Sequence, residues 1–422
     1  MLDIAIIDGA RTPFARAFGP LAGVPAHELG VQASREVLRR SGIRPSQVDQ
    51  TVFGNVAVPP ESANIARVIA LMSGIPNDRI AHTVQRNCAS GMEAITTAAR
   101  LIVSAEARIV LAGGTESMSR IPLLYGPEAT ALFIQLGKSR NWWQKFKTLL
   151  RFRPWHFRPM PGIKLGLTDP VSGMIMGETA EVLADDFGIS RIEQDEFALA
   201  SHRRAVEAQK LGSFDEEILI LTKEKLKADV GPRADQSAEK LSALKPYFVK
   251  DGSVTVGNSC PLTDGAAAVL LMPGELARAE GRKPLGYLRA FAYAGCDPRR
   301  MGLGPVFATN KLFAQTDLSL KDIELIELNE AFAAQVIANE RAFASREFAK
   351  KELGRTTKLG EISRSILNVN GGAIALGHPV GATGVRLVIT LLGEMKRRGL
   401  HRGLATLCAG GGQGAALLLD TE

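Results

Sequence analysis

Short apolar runs alternate along the chain with longer stretches in which apolar residues recur at helical spacing. Runs of about four to eight residues are typical of strands, whereas apolar positions three and four residues apart predict amphipathic helices. In the first part of the sequence, this pattern predicts strands at 4–7, 51–58, 80–84 and 109–112, with helices at 27–40, after an N-cap at Ser62, and after Cys88.

The same order of elements returns after residue 280, which indicates an internal repeat. Strands are predicted at 285–294, 323–328, 366–369, 403–408 and 415–419, and helices at 306–315, at 331–349 and up to Arg398. Short peptides also match: LAGGTES resembles LCAGGGQ, and DGAAAVLLM resembles GQGAALLLD. Alternating strands and helices predict mixed or mostly parallel sheets covered by helices. The predicted fold class is therefore α/β, with a duplicated core of pseudo-twofold symmetry.

A long insertion separates the two parts of the repeat. The predicted domains are a first half at 1–120 and 251–275, an inserted domain at 121–250, and a second half at 276–422. The insertion begins with residues 123–162, named here the basic aromatic segment, which hold all three tryptophans of the chain. Its cations are Lys138, Arg140, Lys145, Lys147, Arg151, Arg153 and Arg158, and its apolar residues include Leu132, Phe133, Leu136, Trp142, Trp143, Phe146, Leu149 and Leu150.

Such a basic amphipathic segment is typical of a membrane interface or of a helix that docks into a partner groove. There are two alternatives. The tryptophans could stack on nucleic-acid bases, or the segment could be a helix that packs on the protein's own core. The net charge is +7, and this segment concentrates positive charge. Because the excess charge clusters in the insertion, we do not expect nucleic acid as a partner.

Composition narrows the class further. The 422 residues are 45% apolar and 23% charged, which is typical of a globular protein with two or three domains. Four cysteines without CxxC spacing and six scattered histidines predict neither a disulfide framework nor a metal site. The N-terminus begins directly with a strand-like run, and no uncharged apolar run has membrane-spanning length. We expect a cytoplasmic protein, membrane-peripheral if the basic aromatic segment binds lipid.

Four polar or reactive residues fall at the ends of predicted strands. Cys88 and His378 follow the third strand of each half, Asn329 follows the second strand of the second half, and Cys408 ends its fourth. Open α/β folds place their sites at such carboxyl ends. Cys88 also precedes a helix, whose free N–H groups favour a thiolate. The alternative interpretation is a buried cysteine that only packs in the core. The common placement favours the functional reading.

These residue types are suited to thioester chemistry. A thiol nucleophile needs a base, and His378 lies in a glycine-rich turn that permits close approach. Cys408 is a candidate acid or base for a carbon or sulfur centre, and the backbone N–H of Gly410 is a candidate oxyanion donor. Asn329 is a candidate for holding a water or a second oxyanion. Two oxyanion sites beside one nucleophile are appropriate for a Claisen condensation of thioesters or its reversal.

Five peptides carry a family resemblance that covers nearly the whole chain. NCASGMEA around Cys88, NEAFA from Asn329, NGGAIALGHPVGATG around His378, CAGGGQG from Cys408 and KDGSVTVGNSCPLTDGAAA at 250–268 resemble the thiolase signatures. The resemblance implies a thiolase-like fold: two βαβαβαββ halves in a layered α-β-α-β-α arrangement with an inserted loop domain that contacts CoA.

The resemblance also implies a role for each residue. Cys88 would be acylated and His378 would activate it. His378 would also help to bind one thioester oxygen, beside a water held by Asn329, and these two residues would form the first oxyanion hole. Cys408 would protonate the leaving enolate, and the N–H groups of Cys88 and Gly410 would form the second oxyanion hole. CoA and acyl-CoA would be substrates, with no permanently bound cofactor.

Two further positions follow from the resemblance. Cys260 stands where many thiolases have Ser or Thr near pantetheine, and Met176 is a candidate for lining the substrate pocket, with core packing as an equal alternative. A homodimer or higher oligomer is also implied. Residues without motif support are expected to be structural: His27, His82, His156, His202, His401 and Cys296.

The basic aromatic segment, with FRPWHFRP and GMIMGETAE, resembles the β-subunits of fatty-acid oxidation complexes and trifunctional proteins. This favours a degradative 3-ketoacyl-CoA thiolase whose segment contacts a hydratase/dehydrogenase α-subunit or an anionic membrane. The alternatives are a biosynthetic acetoacetyl-CoA thiolase and a non-catalytic lipid carrier or scaffold. A ketoacyl-ACP synthase shares the fold and the cysteine, but it has a second His or Asn where this chain has Cys408.

Overall fold

A computed structural model describes all residues, 1–422. The strands are β1 Ile4–Arg11, β2 Ala15–Arg16, β3 Gln50–Gly54, β4 Ile80–Val84, β5 Val110–Ser117, β6 Leu123–Leu124, β7 Met160–Pro161, β8 Thr263–Pro273, β9 Gly286–Gly295, β10 Leu325–Leu328, β11 Arg402–Ala409 and β12 Gln413–Asp420. The helices are α1 Ala26–Ser41, α2 Ile65–Met72, α3 Ser90–Val103, α4 Pro127–Lys138, α5 Trp142–Leu149, α6 Gly162–Gly166, α7 Met176–Asp186, α8 Arg191–Lys210, α9 Ala238–Ser242, α10 Gly274–Ala279, α11 Gly304–Thr316, α12 Ala333–Ala344, α13 Arg346–Glu352, α14 Ala373–Leu376 and α15 Val380–Arg398.

The strand order confirms the duplication. The main sheet runs β10-β11-β12-β9-β1-β8-β5-β3-β4, with β2 paired to β8. In the first half, β3 pairs in parallel with β5, and β5 pairs antiparallel with β8. The second half repeats this with β10, β11 and β12. The halves join where β1 pairs with β9, with Ile4 opposite Leu288.

Three apolar cores divide the molecule into five layers. The middle core packs α3 and α15 between the strands of the two halves and includes Ile95, Val388 and Leu407. A second core lies under α1 and α2 on the outer face of the first half, and a third lies under α11 and α12 with α7 and α8. The layers therefore follow the order α-β-α-β-α that the resemblance implies.

The two middle helices approach each other backbone to backbone. A Cβ atom added at Gly91 of α3 would lie 2.8 Å from the backbone nitrogen of Val385, and one added at Gly384 of α15 would lie 2.5 Å from that of Met92. Only glycine permits such contact. This crossing brings the first turns of α3 and α15 together, and those turns follow Cys88 and His378 in the sequence.

Three local predictions were wrong in detail. The strand predicted at 366–369 is a single bridge between Leu367 and Ile326, because Asn368 turns into the left-handed region at φ 44°. Its side chain continues the pairing instead, since Asn368 Nδ2 donates to the Leu328 carbonyl at 2.8 Å. The helix predicted at 331–349 breaks at Ser345, whose extended backbone ends α12 and whose hydroxyl caps α13.

The third error concerns the cap of the second helix. Ser62 is buried in a short 3-10 turn, and α2 begins later, with Asn64 as its N-cap. The Asn64 side chain accepts a hydrogen bond from the Arg67 N–H at 3.3 Å. Asparagine and serine are both strong N-cap residues, so the composition of this stretch did not distinguish them.

The basic aromatic segment forms a helical hairpin of α4 and α5, closed at its base where β6 pairs with β7. Its inner face is aromatic: the ring centroids of Phe133 and Phe152 lie 5.0 Å apart. Trp142 and Trp143 stack on each other outside this cluster and are 62% and 57% exposed. Across the chain, no helix combines the length and apolar character needed to span a bilayer.

Candidate active site

Cys88 lies in the turn between β4 and α3. The turn is held by Ser90, whose hydroxyl donates to the Asn87 carbonyl at 2.7 Å and accepts from the Arg86 N–H at 2.8 Å. Asn87 has a left-handed backbone with φ 46°. These contacts place Cys88 immediately before the first turn of α3, where the sequence analysis expected it.

The thiol of Cys88 lies deep in the fold although part of the residue is exposed. Burial raises the pKa of Cys88, while the backbone N–H groups of Gly410 and of Cys88 itself lower it by a smaller amount. The expected preference for a thiolate is therefore wrong for the resting protein, because desolvation outweighs the helix N-terminus. A thiol with a raised pKa acts as a nucleophile only when a base removes its proton.

The loop between α14 and α15 fixes the orientation of the His378 ring. Its Nδ1 lies 2.6 Å from the hydroxyl oxygen of Thr383, and this hydroxyl donates to the Pro379 carbonyl at 3.0 Å. Since the hydroxyl proton is already used, Nδ1 carries the imidazole proton and Nε2 holds a lone pair. Nε2 makes no hydrogen bond within the protein. The neutral ring can therefore accept a proton at Nε2.

Burial also keeps this imidazole neutral. Desolvation, followed by the positive charge of Arg386, lowers the pKa of His378 to about 3. The backbone N–H of His378 donates to Thr263 Oγ1 at 3.0 Å, which anchors the loop to β8 of the first half. His378 is consequently unprotonated at neutral pH and available to accept a proton.

Asn329 follows β10 and is fully buried. Its backbone N–H donates to the Thr406 carbonyl at 3.0 Å, which places Asn329 beside β11, the strand that contains Cys408. Neither polar atom of its side-chain amide makes a hydrogen bond within the protein. Buried amides are nearly always paired, so an amide left free marks a position for a ligand or an ordered water.

Cys408 lies near the end of β11 and is buried. Burial raises the pKa of Cys408 well above its ordinary value, and the neighbouring thiols Cys88, Cys296 and Cys260 raise it further. A thiol with a raised pKa holds its proton and is a suitable proton donor to a carbanion. Cys296, which the sequence analysis expected to be structural, lies close enough to Cys408 to raise its pKa.

Cys260 and Met176 border the same region. Burial, then the charge of Cys88, raises the pKa of Cys260 to about 12, so this thiol stays protonated. The sulfur of Met176 lies 3.3 Å from the position that a Cβ on Gly410 would occupy. Both residues are close to the reactive groups; whether they contact CoA or substrate stays a prediction.

A small apolar cluster surrounds the other side of Cys88. Ala17, Met118 and Val380 form its buried part, and Val56, Ile121, Ile163 and Leu262 pack against it while partly exposed, as does Cys88 itself. Nothing in the motifs singled out these residues, because apolar residues scattered over distant segments have no sequence signature. The cluster offers an apolar surface next to the nucleophile.

Sequence reasoning also missed Glu116. Its buried carboxylate accepts hydrogen bonds from the N–H groups of Val56, Ala57 and Gly381 and from the Asn55 amide, all at 3.0 to 3.1 Å. Burial raises the pKa of Glu116 to about 7 against these hydrogen bonds. The GGTES peptide was noted as part of the repeat, but its glutamate gave no further signal.

A duplicated α/β fold that brings two thiols and an imidazole to its strand ends is typical of acyltransferases that form an acyl-cysteine intermediate. Residues 4–275 match the description "Thiolase, N-terminal domain" and residues 282–421 match "Thiolase, C-terminal domain". The chain belongs to the thiolase family.

Curated relatives and solved structures agree with this family. A 3-ketoacyl-CoA thiolase from Yersinia enterocolitica is 40% identical over 99% of this chain and 97% of its own length, and one from Pectobacterium carotovorum is 41% identical over 99% and 96%. The structure is similar to an acetyl-CoA acetyltransferase from Bacillus anthracis, with a TM-score of 0.87, 38% identity and coverage of 100% and 99%. It is also similar to human mitochondrial 3-ketoacyl-CoA thiolase in complex with CoA, with a TM-score of 0.86, 34% identity and coverage of 99% and 98%.

Proposed function

We propose that the protein is a 3-ketoacyl-CoA thiolase that uses CoA to cleave 3-ketoacyl-CoA into acetyl-CoA and an acyl-CoA shortened by two carbons. One observation supports the mechanism: Gly410 of the second half lies close enough to Cys88 for its backbone N–H, like that of Cys88 itself, to lower the pKa of the thiol. A carbonyl attacked by this sulfur would leave its oxygen close to the same donors. The 40% identical relatives of that name support the choice of reaction.

In the first step, His378 Nε2 takes the Cys88 proton as the sulfur attacks the 3-keto carbon. The N–H groups of Cys88 and Gly410 stabilise the oxyanion. The bond between C2 and C3 then breaks, and the electron pair enters the thioester as an enolate, whose oxygen is stabilised by His378 and Asn329. Cys408 donates its thiol proton to C2, and acetyl-CoA leaves. Cys88 is now acylated, His378 is protonated and Cys408 is a thiolate.

The second step restores every proton. The Cys408 thiolate takes the proton of an incoming CoA thiol, whose sulfur attacks the acyl group on Cys88. The same oxyanion hole stabilises the intermediate. Cys88 leaves as a thiolate and takes its proton back from His378. Because one product leaves before CoA reacts, ping-pong kinetics are expected.

We further propose that the acyl chain on Cys88 lies along the apolar cluster around Met118 and Val380. Its partly exposed members, Ile121 and Ile163, flank the base of the basic aromatic segment. Long 3-ketoacyl chains would gain from burial there, at about 0.8 kcal/mol for each methylene. A thiolysis assay across chain lengths tests this: activity rising beyond four carbons is expected, and activity with acetoacetyl-CoA alone would contradict it.

A biosynthetic role is the second candidate. The acetyl-CoA acetyltransferase from Bacillus anthracis is 38% identical over the whole chain, and the same residues would run the condensation of two acetyl groups. The chain-length assay separates the two roles, because a condensing enzyme specific for acetyl-CoA has no use for the apolar cluster.

We propose that the basic aromatic segment contacts an anionic membrane or a hydratase/dehydrogenase α-subunit. None of its seven Lys and Arg side chains makes an ion pair within the chain, and Trp142 and Trp143 are exposed beside them. Exposed tryptophans with unpaired cations are suited to lipid interfaces. Replacing Trp142, Trp143 and Lys145 with alanine should reduce binding to anionic vesicles or to the α-subunit. Leu211→Ala, at another exposed apolar residue, is the control; unchanged binding to both would contradict the proposal.

We also propose a dimer that forms at the edge of the sheet. Strand β4 pairs with β3 alone, and its residues are exposed or half-buried. An open edge strand is a template for pairing with another chain. Light scattering at micromolar concentration should give at least twice the mass of 45.2 kDa; a monomer mass would contradict this.

A further inference from the structure

The two proposed oxyanion donors belong to different halves of the molecule, so their relative position depends on contacts between the halves. The Cys88 N–H belongs to the first half and the Gly410 N–H to the second. Gly410 is followed by Gly411 and Gly412, both with left-handed φ values of 82° and 75°. Consecutive glycines have no side chains to fix them and the largest backbone freedom. Another residue must therefore hold the Gly410 peptide in place.

Asn87 makes that contact. Its Nδ2 donates to the Gly410 carbonyl at 2.8 Å across the boundary between the halves. The backbone of Asn87 is itself fixed, because the Ser90 N–H and hydroxyl both donate to its carbonyl at 3.0 and 2.7 Å. On its other side, Gly410 continues from β11, where Ala409 pairs with Gln413. Gly410 is thus held between a strand and the Asn87 side chain.

The neighbouring Arg86 forms a second contact across the same boundary. Its Nη1 donates to Gln413 Oε1 at 2.9 Å, and its guanidinium lies 4.3 Å from the ring centroid of Tyr293. Its Nε also donates to Glu93 of α3 at 2.8 Å. Arg86 therefore keeps the two halves together even when Asn87 is changed, so variants of Asn87 test the local geometry rather than the association of the halves.

We propose that Asn87 is a positioning residue that aligns the Gly410 N–H with the oxygen of the group bonded to Cys88. This inference rests on the proposed acyl-Cys88 mechanism. Asn87 touches neither substrate nor the reacting sulfur in this role. Its main effect is on steps in which an oxyanion forms on the carbon attached to Cys88. Its effect on the thiol itself is smaller, because burial dominates the pKa of Cys88, and CoA binding is unchanged.

Two variants separate the side chain from the backbone. Asn87→Gly keeps the left-handed conformation and removes the donor, whereas Asn87→Asp keeps the shape and turns an acceptor toward the Gly410 carbonyl. Asp317→Gly is the matched control, because Asp317 is an exposed residue with φ 54° at the end of α11. Circular dichroism and thermal melting establish that each variant is folded.

The test compares two reactions of Cys88. Loss of a whole oxyanion donor costs about 10²–10³-fold in kcat, so misalignment of one donor should lower kcat for thiolysis about 10- to 100-fold. The fall should be larger in Asn87→Asp, with the KM for CoA within about twofold of wild type. Alkylation by iodoacetamide forms no oxyanion and depends on the Cys88 thiolate, whose pKa is governed mainly by burial and only to a smaller extent by the Gly410 N–H. Its rate should therefore fall much less than kcat in Asn87→Gly, and Asp317→Gly should behave as wild type in both reactions.

Three results overturn the inference. An unchanged kcat in both variants would show that Asn87 does not align the donor. A parallel fall of alkylation and thiolysis would show that it supports the Cys88 turn instead. Wild-type protein that forms no acyl-Cys88 with 3-ketoacyl-CoA, detected by mass spectrometry, would overturn the proposed function and this inference together, whereas the first two results leave the proposed function intact.

Discussion

The ends of β5 and β11 occupy the same place in the two halves, yet they carry different chemistry. Gly54 of β3 pairs with Gly114 of β5, as Leu328 of β10 pairs with Thr406 of β11. Counting on from these pairs, Asn55 corresponds to Asn329, and Glu116 corresponds to Cys408. The two halves therefore present an amide and an ionisable group at equivalent positions.

The two sets of groups differ in how they are paired. Asn55 Nδ2 donates to the Thr115 carbonyl and to Glu116, and Glu116 accepts three backbone N–H groups besides. In the second half, the Asn329 amide is unpaired within the protein, and Cys408 is a protonated thiol among other thiols. The groups of the first half hydrogen-bond to each other and stabilise the fold, whereas the Asn329 amide of the second half has no partner within the protein.

The largest effect should come from the thiol of the second half. Cys408→Ala removes the proton donor for the enolate, and proton transfer by a positioned group contributes about 10²–10⁴-fold to rate. We expect kcat for thiolysis to fall by that factor with little change in melting temperature, measured spectroscopically with acetoacetyl-CoA and longer substrates. Cys296→Ala, at a neighbouring thiol, is the control. Equal activity of the Cys408→Ala and Cys296→Ala variants would contradict the proposed difference between the two halves at this position.

Next come the two equivalent asparagines. Asn329→Ala should lower kcat about 10²–10³-fold, as for loss of an oxyanion donor, and leave stability nearly unchanged. Asn55→Ala should instead lower the free energy of unfolding by about 1–3 kcal/mol, because Glu116 and the Thr115 carbonyl lose a partner. Chemical denaturation and thiolysis assays on both variants check this. Identical behaviour of the pair would mean that the halves have not diverged as described.

A smaller effect is expected at Glu116, which stabilises the first half. Glu116→Gln turns an amide donor toward N–H groups that already need an acceptor, so we expect a loss of about 1–3 kcal/mol in the free energy of unfolding. Glu275→Gln, at an exposed glutamate, should be neutral. The comparison is made at pH 8, where Glu116 is ionised. If the variant is as stable as wild type, the Glu116 carboxylate does not stabilise the fold.

The last prediction concerns pH, and its effect is spread over several pH units. The pKa of His378 is lowered to about 3 in the folded protein by burial and then by Arg386, whereas the unfolded chain has a value near 6.5. The unfolded state therefore binds a proton that the folded state excludes, and stability falls as the pH drops from 6.5 toward 3, by at most about 1.4 kcal/mol per pH unit from this group. His378→Asn should remove this contribution, seen as a shallower dependence of unfolding free energy on pH. An unchanged slope between pH 6 and 4.5 would contradict it.

Much of this arrangement was predictable from the sequence, for a physical reason. Buried strands and amphipathic helices leave periodic apolar patterns, so the duplicated order of elements and the strand-end positions of Cys88, Asn329 and Cys408 were accessible. The domain boundaries at 120, 250 and 275 stay predictions, as do the chemical roles of the site residues.

The remaining features of the site could be recognised only in the folded structure. The correspondence of Glu116 with Cys408 depends on strand register, which short matching peptides did not reveal. The left-handed backbone of Asn87 and Asn368 follows from local contacts that composition does not encode. The raised pKa of Cys88 arises from burial under distant segments, which reversed the expectation drawn from its place before a helix.

The central claim, that Cys88 carries the acyl group, has one direct test. The protein is mixed with 3-ketooctanoyl-CoA without free CoA, quenched in acid and digested, and the Cys88 peptide is weighed by mass spectrometry. We expect one hexanoyl group on Cys88, released on addition of CoA, and none on Cys408 or Cys260. Stoichiometric acetyl-CoA release with an unmodified Cys88 peptide, or undiminished turnover by Cys88→Ser, would contradict it.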